Sequence, residues 1–399
     1  MDGTRTLLEV LKAFVWETPI SASCIAEISA GATEIFQLAK EQSIQGILAY
    51  KIREYAKENS EDVPTELLAA AEYLFLATVE NTTKKEVLTE ALSATLAAAS
   101  IDHVLFKGIV VRELYAVPAL RTFGDVDLAI REEDRAKSHQ LMKDLDYEVV
   151  IDHGEVWNYK KGLEYYEIHT DVMRNSPTSR GDQRWYFRDF WKYSVQKKEH
   201  VFRFTPEFQL IYLLAHLAKH TYGSGAGIRM YLDFAFVLKK QRDVIDWAGV
   251  LEELKKTELD RFFCLVMTAA ARWFGLNLPE EIPAVEDALC EELFQYTMEA
   301  GVYGFHNRKL SREQVRKGAE EGDGKKSALR KILFPRVEEI AKRYTYLKKL
   351  PFLLPIAWID RVYRNRKIIW LRMTQVKDIW QTDNKQLQKD LDFQRKIGL

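Results

Sequence analysis

Apolar residues recur every three or four positions through roughly the first hundred residues. They alternate with polar ones from about 102 to 171, and return to the helical spacing from Thr205 onward. The two periods are different ways of burying one face, 3.6 residues for a helix and two for a strand. A chain patterned this way is predicted to build a sheet from its middle and to cover it with helices from both flanks. That is an α+β architecture, a sheet with helices packed against it, between N-terminal and C-terminal helical regions. The changes of pattern set the expected divisions: a helical region 1–98, an α+β core 99–204, a helical domain 205–305 and a basic helical region 306–399.

Local signals fill in this outline. TRTLLEVLKAFVW, TEIFQLAKEQSIQGILAYKIREY and PTELLAAAEYLFLATVENTTKKEVLTEALSATLAAAS read as three helices, with Pro64 opening the third. In the middle, HVLF reads as a buried strand, IVVRELY as helix, and AVPALRTFG as an irregular stretch punctuated by Pro118 and Gly124. DVDLAI has the strand period and REEDRAKSHQLMKDLD the helix period. YEVVID, EVWNYKK and EYYEIHTDV read as three consecutive strands turned at Gly154 and Gly162. Thr205 and Pro206 carry the capping pattern of a helix through TPEFQLIYLLAHLAKH, which the glycine-rich YGSGAG ends before IRMYLDFAFVLKKQ starts another.

Composition narrows the class. Hydrophobic residues make up 47% and charged residues 29%, an ordinary globular mix, and the net charge of -1 argues against chain-wide affinity for nucleic acid or anionic membrane. The three cysteines, Cys24, Cys264 and Cys290, have no metal-ligand spacing and read as free thiols of a reducing compartment. There is no leader-like apolar segment and no apolar run long enough to span a bilayer, so a cytoplasmic location is expected. One region departs from neutrality: from Lys309 to Val376 there are 18 Lys and Arg against 7 Asp and Glu. The region is expected to be a solvated helical subdomain whose apolar stretch, Leu350 to Ile359, packs on the core of the protein, contact with RNA or an anionic membrane surface being the alternative. EEGDGKK, at 320–326, reads as a flexible loop.

The chemistry concentrates between Phe106 and Ile130. In a strand, Asp125 and Asp127 point the same way while Val126 and Leu128 face the core. Two carboxylates this close repel unless a cation lies between them, and hard oxygen ligands suit Mg²⁺ or Mn²⁺. Lys107-Gly108 sits at a strand-to-helix junction, where amide groups and a positive charge could hold phosphate. Arg121, four residues before the acidic pair, could reach a triphosphate or brace the loop. A third carboxylate is expected from a neighbouring strand. Glu167, His169 and Asp171 alternate along EYYEIHTDV, with Glu167 preferred as metal ligand, His169 beside it, and Asp171 held in reserve.

The run Leu105-Phe106-Lys107-Gly108, followed by Tyr115, Pro118, Arg121, Asp125-Val126-Asp127 and Glu167-Ile168-His169, resembles the uncharacterised bacterial nucleotidyltransferases of the polymerase-β-like superfamily. The resemblance continues through His216-Leu217-Ala218-Lys219-His220 and Arg229-Met230-Tyr231-Leu232-Asp233. It extends into the tail at Phe334-Pro335, Tyr344, Pro355 to Trp358 and Arg361, covering about residues 100 to 370. It implies a small mixed β-sheet core flanked by helices, a nucleoside triphosphate substrate, two divalent ions, and transfer of a nucleotidyl group to an acceptor hydroxyl with release of pyrophosphate. Asp125, Asp127 and Glu167 would hold metal, with Glu167 or His169 taking a proton. Lys107, Gly108, Arg121, Lys219 and His220 would contact nucleotide. Many members carry Gly-Ser after the first strand; this chain has Lys107-Gly108 and lacks that serine hydroxyl. The acceptor, whether small molecule, protein or RNA, is not specified by these residues.

Two rival readings remain: a catalytically silent nucleotide-binding module, and a metal-dependent phosphohydrolase using His169, His216 and His220. His216 and His220 have the spacing of a zinc pair but lack the following acid of the zinc-protease pattern. Arg229 and Asp233, four apart on a helix, are expected to pair with each other.

Overall fold

The computed structural model describes residues 3–173, 175–178, 182–223, 225–301, 334–340, 344–364 and 384–399. The loop expected at 320–326 and much of the basic region therefore lie outside the described residues.

The N-terminal flank is helical: α1 (Gly3–Trp16), α2 (Ala22–Ala30), α3 (Ala32–Glu41), α4 (Gln45–Ala56) and the long α5 (Thr65–Ala98). The stretch read as one helix from Thr33 to Tyr55 is two, because Ser43 takes a left-handed φ of 53°. Ser21 caps α2, a helix absent from the sequence reading, by accepting the amide of Cys24 at 3.1 Å. Pro64 stands immediately before α5, as expected.

The middle of the chain gives β1 (His103–Phe106), the one-turn α6 (Gly108–Val111), β2 (Val126–Ile130), α7 (Arg135–Asp144), β3 (Glu148–Ile151), β4 (Val156–Lys161) and β5 (Glu164–His169). Gly154 and Gly162 turn the last three strands at φ of 79° and 57°, where a Cβ would be strained. Past β5 comes α8 (Arg184–Arg188), then a hairpin with no clear alternation in sequence, β6 (Ser194–Lys198) and β7 (Val201–Phe204). The sheet thus has seven strands in the order β3-β4-β5-β2-β1-β7-β6. It is mixed: β2 runs parallel to β5, and β1 parallel to β7, while β1 and β2 are antiparallel.

The two faces of the sheet have different partners. Leu105, Val126, Leu128, Ile130, Tyr166 and Ile168 form a cluster with Leu92 and Leu96 of α5 and Met142 of α7. Val104, Phe106, Ala129 and Phe204 belong to the main core, with Phe208, Leu213 and Leu217 of the next helix. That helix is α9 (Pro206–Tyr222), capped by the Thr205 hydroxyl accepting the Phe208 amide at 3.3 Å. It is followed by α10 (Ile228–Lys240), α11 (Trp247–Lys256), α12 (Asp260–Phe274) and α13 (Asp287–Ala300). The same core includes Leu7, Phe14 and Ile47 from the first helices, so N-terminal and central helices share one interior.

Among the described residues no helix is long and apolar enough to cross a membrane. Cys24 and Cys290 are buried and unpaired, and burial pushes the Cys24 thiol up to about 12. The tail differs from expectation. The helix Leu354–Arg364 packs through Ala357 on Ile340, Tyr344 and Leu347 in a small cluster separate from the main core.

Candidate active site

The site follows from the register of three strands. Asp127 of β2 lies opposite Glu167 of β5, Ala129 opposite His169, and Phe106 of β1 opposite Asp127. Neighbouring residues in register share a face, and so do residues two apart. Asp127, Glu167 and His169 therefore meet on the face that α9 covers, while Val126 and Leu128 point into the opposite cluster, as the alternation predicted.

Each of the three offers a ligand atom within 4.8 Å of the others. His169 Nε2 lies 2.9 Å from Asp127 Oδ1 and 3.6 Å from Glu167 Oε2. The Lys107 ammonium donates to the same Oδ1 of Asp127. Asn158, opposite Glu167 on β4, donates to Glu167 Oε1 at 2.8 Å. Phe106 presents its ring to His169 at 5.2 Å in an edge contact. His169 Nδ1 is buried with no hydrogen-bond partner.

Asp125 sits one residue before β2, at the mouth of a cavity of about 200 Å³ that Lys107, Gly108, Arg121, Asp127, His216, His220 and Arg229 also line. The compact group of candidate ligands thus contains His169 where the sequence reading had Asp125, with Asp125 beside it on the same cavity. Asp171 is not part of it. β5 ends at His169, and the Asp171 carboxylate accepts the Met173 amide at 3.0 Å.

The titration of these groups records the crowding. Burial and the adjacent Asp127 carboxylate raise the Asp125 pKa above the ordinary range, against the pull of Lys107. Burial also disfavours the charged form of Asp127, but Lys107 and His169 outweigh it and hold its pKa low. Glu167 is pushed up by burial and brought below the ordinary value by its hydrogen bond with His169. Burial opposes a charged His169, yet its bonds to Asp127 and Glu167 raise it. Lys107 loses hydration but is held protonated by Asp127.

Lys107 adopts φ 58° and ψ -134°, a region that suits glycine and costs a side-chain-bearing residue roughly 1–3 kcal/mol. The turn aims its ammonium at Asp127. Gly108 is required by close approach: a Cβ there would stand 2.3 Å from Arg121 Nη1.

Arg121 is committed elsewhere. Its Nε and Nη2 donate to the two carboxylate oxygens of Asp233 at 3.1 and 2.7 Å, and Tyr115 Oη donates to Asp233 at 2.7 Å. Asp233 is thus held from a distant part of the chain, where a helical neighbour, Arg229, was expected. The Arg229 guanidinium reaches the Thr122 carbonyl. Of the two α9 residues expected to touch nucleotide, His220 lines the cavity, whereas Lys219 is exposed and does not. His216 and His220 stack edge-on at 4.6 Å, and burial together with His220 drives His216 far below the ordinary imidazole value. Neither joins the Asp127 group.

One contributor was missed in the sequence. Lys85 of α5 donates to the carbonyls of Phe123 and Gly124 at 2.9 and 3.0 Å, fixing the loop that carries Asp125. A signal was available: Thr78, Thr82, Thr89 and Leu96 form the buried stripe of α5, and Lys85 falls on that stripe.

A family model described as uncharacterised nucleotidyltransferase matches residues 29–275. The match begins well before the expected likeness, within the helices that precede the sheet, and ends with α12, short of the tail. No curated protein and no solved structure matches the chain. Because the match spans more than half of the 399 residues, the chain belongs to this family of uncharacterised nucleotidyltransferases.

Proposed function

We propose that this protein is a metal-dependent nucleotidyltransferase of the polymerase-β-like type, which moves a nucleotidyl group from a nucleoside triphosphate to an acceptor hydroxyl and releases pyrophosphate. The observation that carries this reading is the pairing of Asp127 with Glu167 across parallel strands, with Asp125 on the same cavity. Asp125, Asp127 and Glu167 stand close together, and the groups that meet Asp127 from the other side are Lys107 and His169, which leaves carboxylates in excess at this cluster. A hard divalent ion is the natural complement, and the oxygen-rich donor set fits Mg²⁺ or Mn²⁺.

Asp125, Asp127 and Glu167 would hold the ions. Bound there, they would supply Lewis-acid charge on the phosphates and lower the pKa of the acceptor hydroxyl. Glu167, whose lowered pKa keeps it ionised, is placed to accept the hydroxyl proton. His169 holds the orientation of Asp127, which makes Glu167 the better base of the two. Lys107, His220 and Arg229 line the cavity and offer positive charge to the phosphates, with the Gly108 turn beside them. Arg121, paired with Asp233, acts here as a brace for the loop before Asp125. Free, separated thiols accord with a cytoplasmic setting. A phosphohydrolase reading would need His169, His216 and His220 together. Among the described residues the only grouping of three candidate ligands is Asp127, Glu167 and His169.

The test is incubation of the full chain with each α-labelled nucleoside triphosphate and Mg²⁺ or Mn²⁺, alone and with cell extract. Label transfer with pyrophosphate release, lost in the Asp125→Ala/Asp127→Ala double variant, supports the assignment. Nucleotide bound without transfer under every condition replaces it with the silent binding module.

A further inference from the structure

The helix Leu354–Arg364 is apolar on two sides. Ala357, with the half-buried Leu353, Leu354 and Trp358, packs on Ile340, Tyr344 and Leu347. Trp358 fixes that face further: its indole N–H donates to the Pro335 carbonyl at 3.0 Å, and Phe334 meets its ring edge at 5.2 Å. The other side carries Ile356, Ile359 and Tyr363, spaced three and four residues apart so that they form a single ridge, and Phe352 is exposed in the turn Pro351–Leu353 that leads into the helix. Phe352, Ile356, Ile359 and Tyr363 are 73%, 57%, 70% and 68% exposed. Singly exposed apolar residues are ordinary, but a continuous ridge of large ones marks a surface that meets something less polar than water.

Charge identifies the occupant. Lys348 and Lys349 are exposed at the start of this ridge, and Arg336 is exposed in the segment on which the helix packs. The ridge lies within the segment Lys309–Val376, with its 18 Lys and Arg against 7 Asp and Glu, in a chain whose total is nearly neutral. An apolar helix face bordered by cations, with aromatic residues at both its ends, is the arrangement that lies in the headgroup region of an anionic bilayer. Single-stranded nucleic acid would favour stacked aromatics over the two central isoleucines. A second copy of the chain would bring the same cations face to face.

We propose that the Ile356–Tyr363 ridge, with Phe352 before it, docks this protein on an anionic lipid surface, with the ridge in the acyl boundary and the neighbouring lysines on the lipid phosphates. The surface is independent of the nucleotide chemistry, and its test uses no turnover.

Full-length protein is spun with phosphatidylcholine vesicles, with and without phosphatidylglycerol. Binding to the anionic vesicles is expected to be about tenfold tighter than to the neutral ones and to weaken with salt. Ile356→Asp/Ile359→Asp is expected to lower vesicle binding about tenfold with an unchanged circular dichroism melting curve. Lys348→Gln/Lys349→Gln should lower only the anionic component. Ile356→Ser/Ile359→Ser, which adds no charge beside the small cluster behind the helix, is measured in parallel. Equal binding to neutral vesicles, no vesicle binding, or wild-type binding by a folded ridge variant overturns the proposal. So does a concentration-dependent dimer in light scattering, or tighter capture of oligonucleotide than of vesicles, that the ridge variants abolish.

Discussion

Two charge clusters, each with members on the same cavity, differ in balance. In one, Arg121 and Asp233 form a two-pronged pair closed by the Tyr115 hydroxyl, so one cation meets one anion and the donors are used. In the other, Asp125, Asp127 and Glu167 stand against Lys107 and His169, and Asp127 Oδ1 alone takes both cationic donors. The first arrangement is complete as it stands, and its fixed geometry serves to hold α10 against the loop before β2. The second leaves Asp125 ionising against its neighbours and His169 Nδ1 without a partner. Crowded carboxylates of this kind call for a counterion, which sets the proposed metal site apart from the brace.

The largest effect expected from this contrast is on chemistry. Asp125→Asn should reduce divalent-dependent label transfer by about three orders of magnitude or more, roughly 4 kcal/mol of transition-state stabilisation. Its melting temperature should be unchanged or higher. A carboxyl whose folded pKa is raised favours the folded state in its protonated form. That contribution is lost as pH rises through the folded value, so at neutral pH the ionised Asp125 weighs against folding. Loss of transfer accompanied by unfolding would put Asp125 with the brace instead.

Next is the brace itself. Asp233→Asn leaves Arg121 buried against a neutral partner and should cost about 3–5 kcal/mol in urea unfolding. A cost within experimental error would remove the distinction between the clusters.

Divalent ions should then divide the two. At Mn²⁺ about a hundredfold over its dissociation constant, wild-type stability should rise by about 2.7 kcal/mol. Asp127→Asn should show no rise, whereas the folded fraction of Asp233→Asn should still respond. Calorimetric melting with and without the ion reads this directly.

Lys85→Met is expected to act more weakly, lowering kcat about tenfold with KM little changed, since it displaces the Asp125 loop without touching nucleotide. An unaltered kcat would make Lys85 a purely structural tie.

The smallest effect is in pH. His169 has a raised folded pKa, so in the metal-free protein its contribution to stability is present below the ordinary imidazole range and is lost as pH rises through the raised value. His169→Gln should flatten the melting temperature across that window. Asp127, lowered by Lys107 and His169, contributes above the ordinary carboxylate range and loses its share only in strong acid.

Legibility in the sequence followed the range of the interaction. HVLF became β1 residue for residue, and Asp127, Glu167 and His169 came together because alternation fixes which side chains share a face. Asp171 failed because alternation does not reveal where a strand stops. The β6–β7 hairpin was missed because its residues are largely exposed or half-buried and carry no clean alternation. The partner of Asp233 was misjudged because a helical i,i+4 neighbour is visible in sequence, whereas a guanidinium 112 residues away is not. The tail ridge was expected to pack inward because hydrophobicity alone does not say which of two apolar sides finds a core.

By itself, the order of residues determined the helical flanks, the strand-bearing middle, the Thr205 cap and the acidic character of the site. These depend on periodicities and contacts within a few positions. Tertiary structure alone decided that β5 lies beside β2, which sets Glu167 against Asp127. It also decided that Lys107 rather than Arg121 reaches the carboxylates, and that Lys85 crosses from α5 to hold their loop. The physical reason is that strand neighbours and buried ion pairs are chosen by the packing of the whole core, which local propensity does not encode.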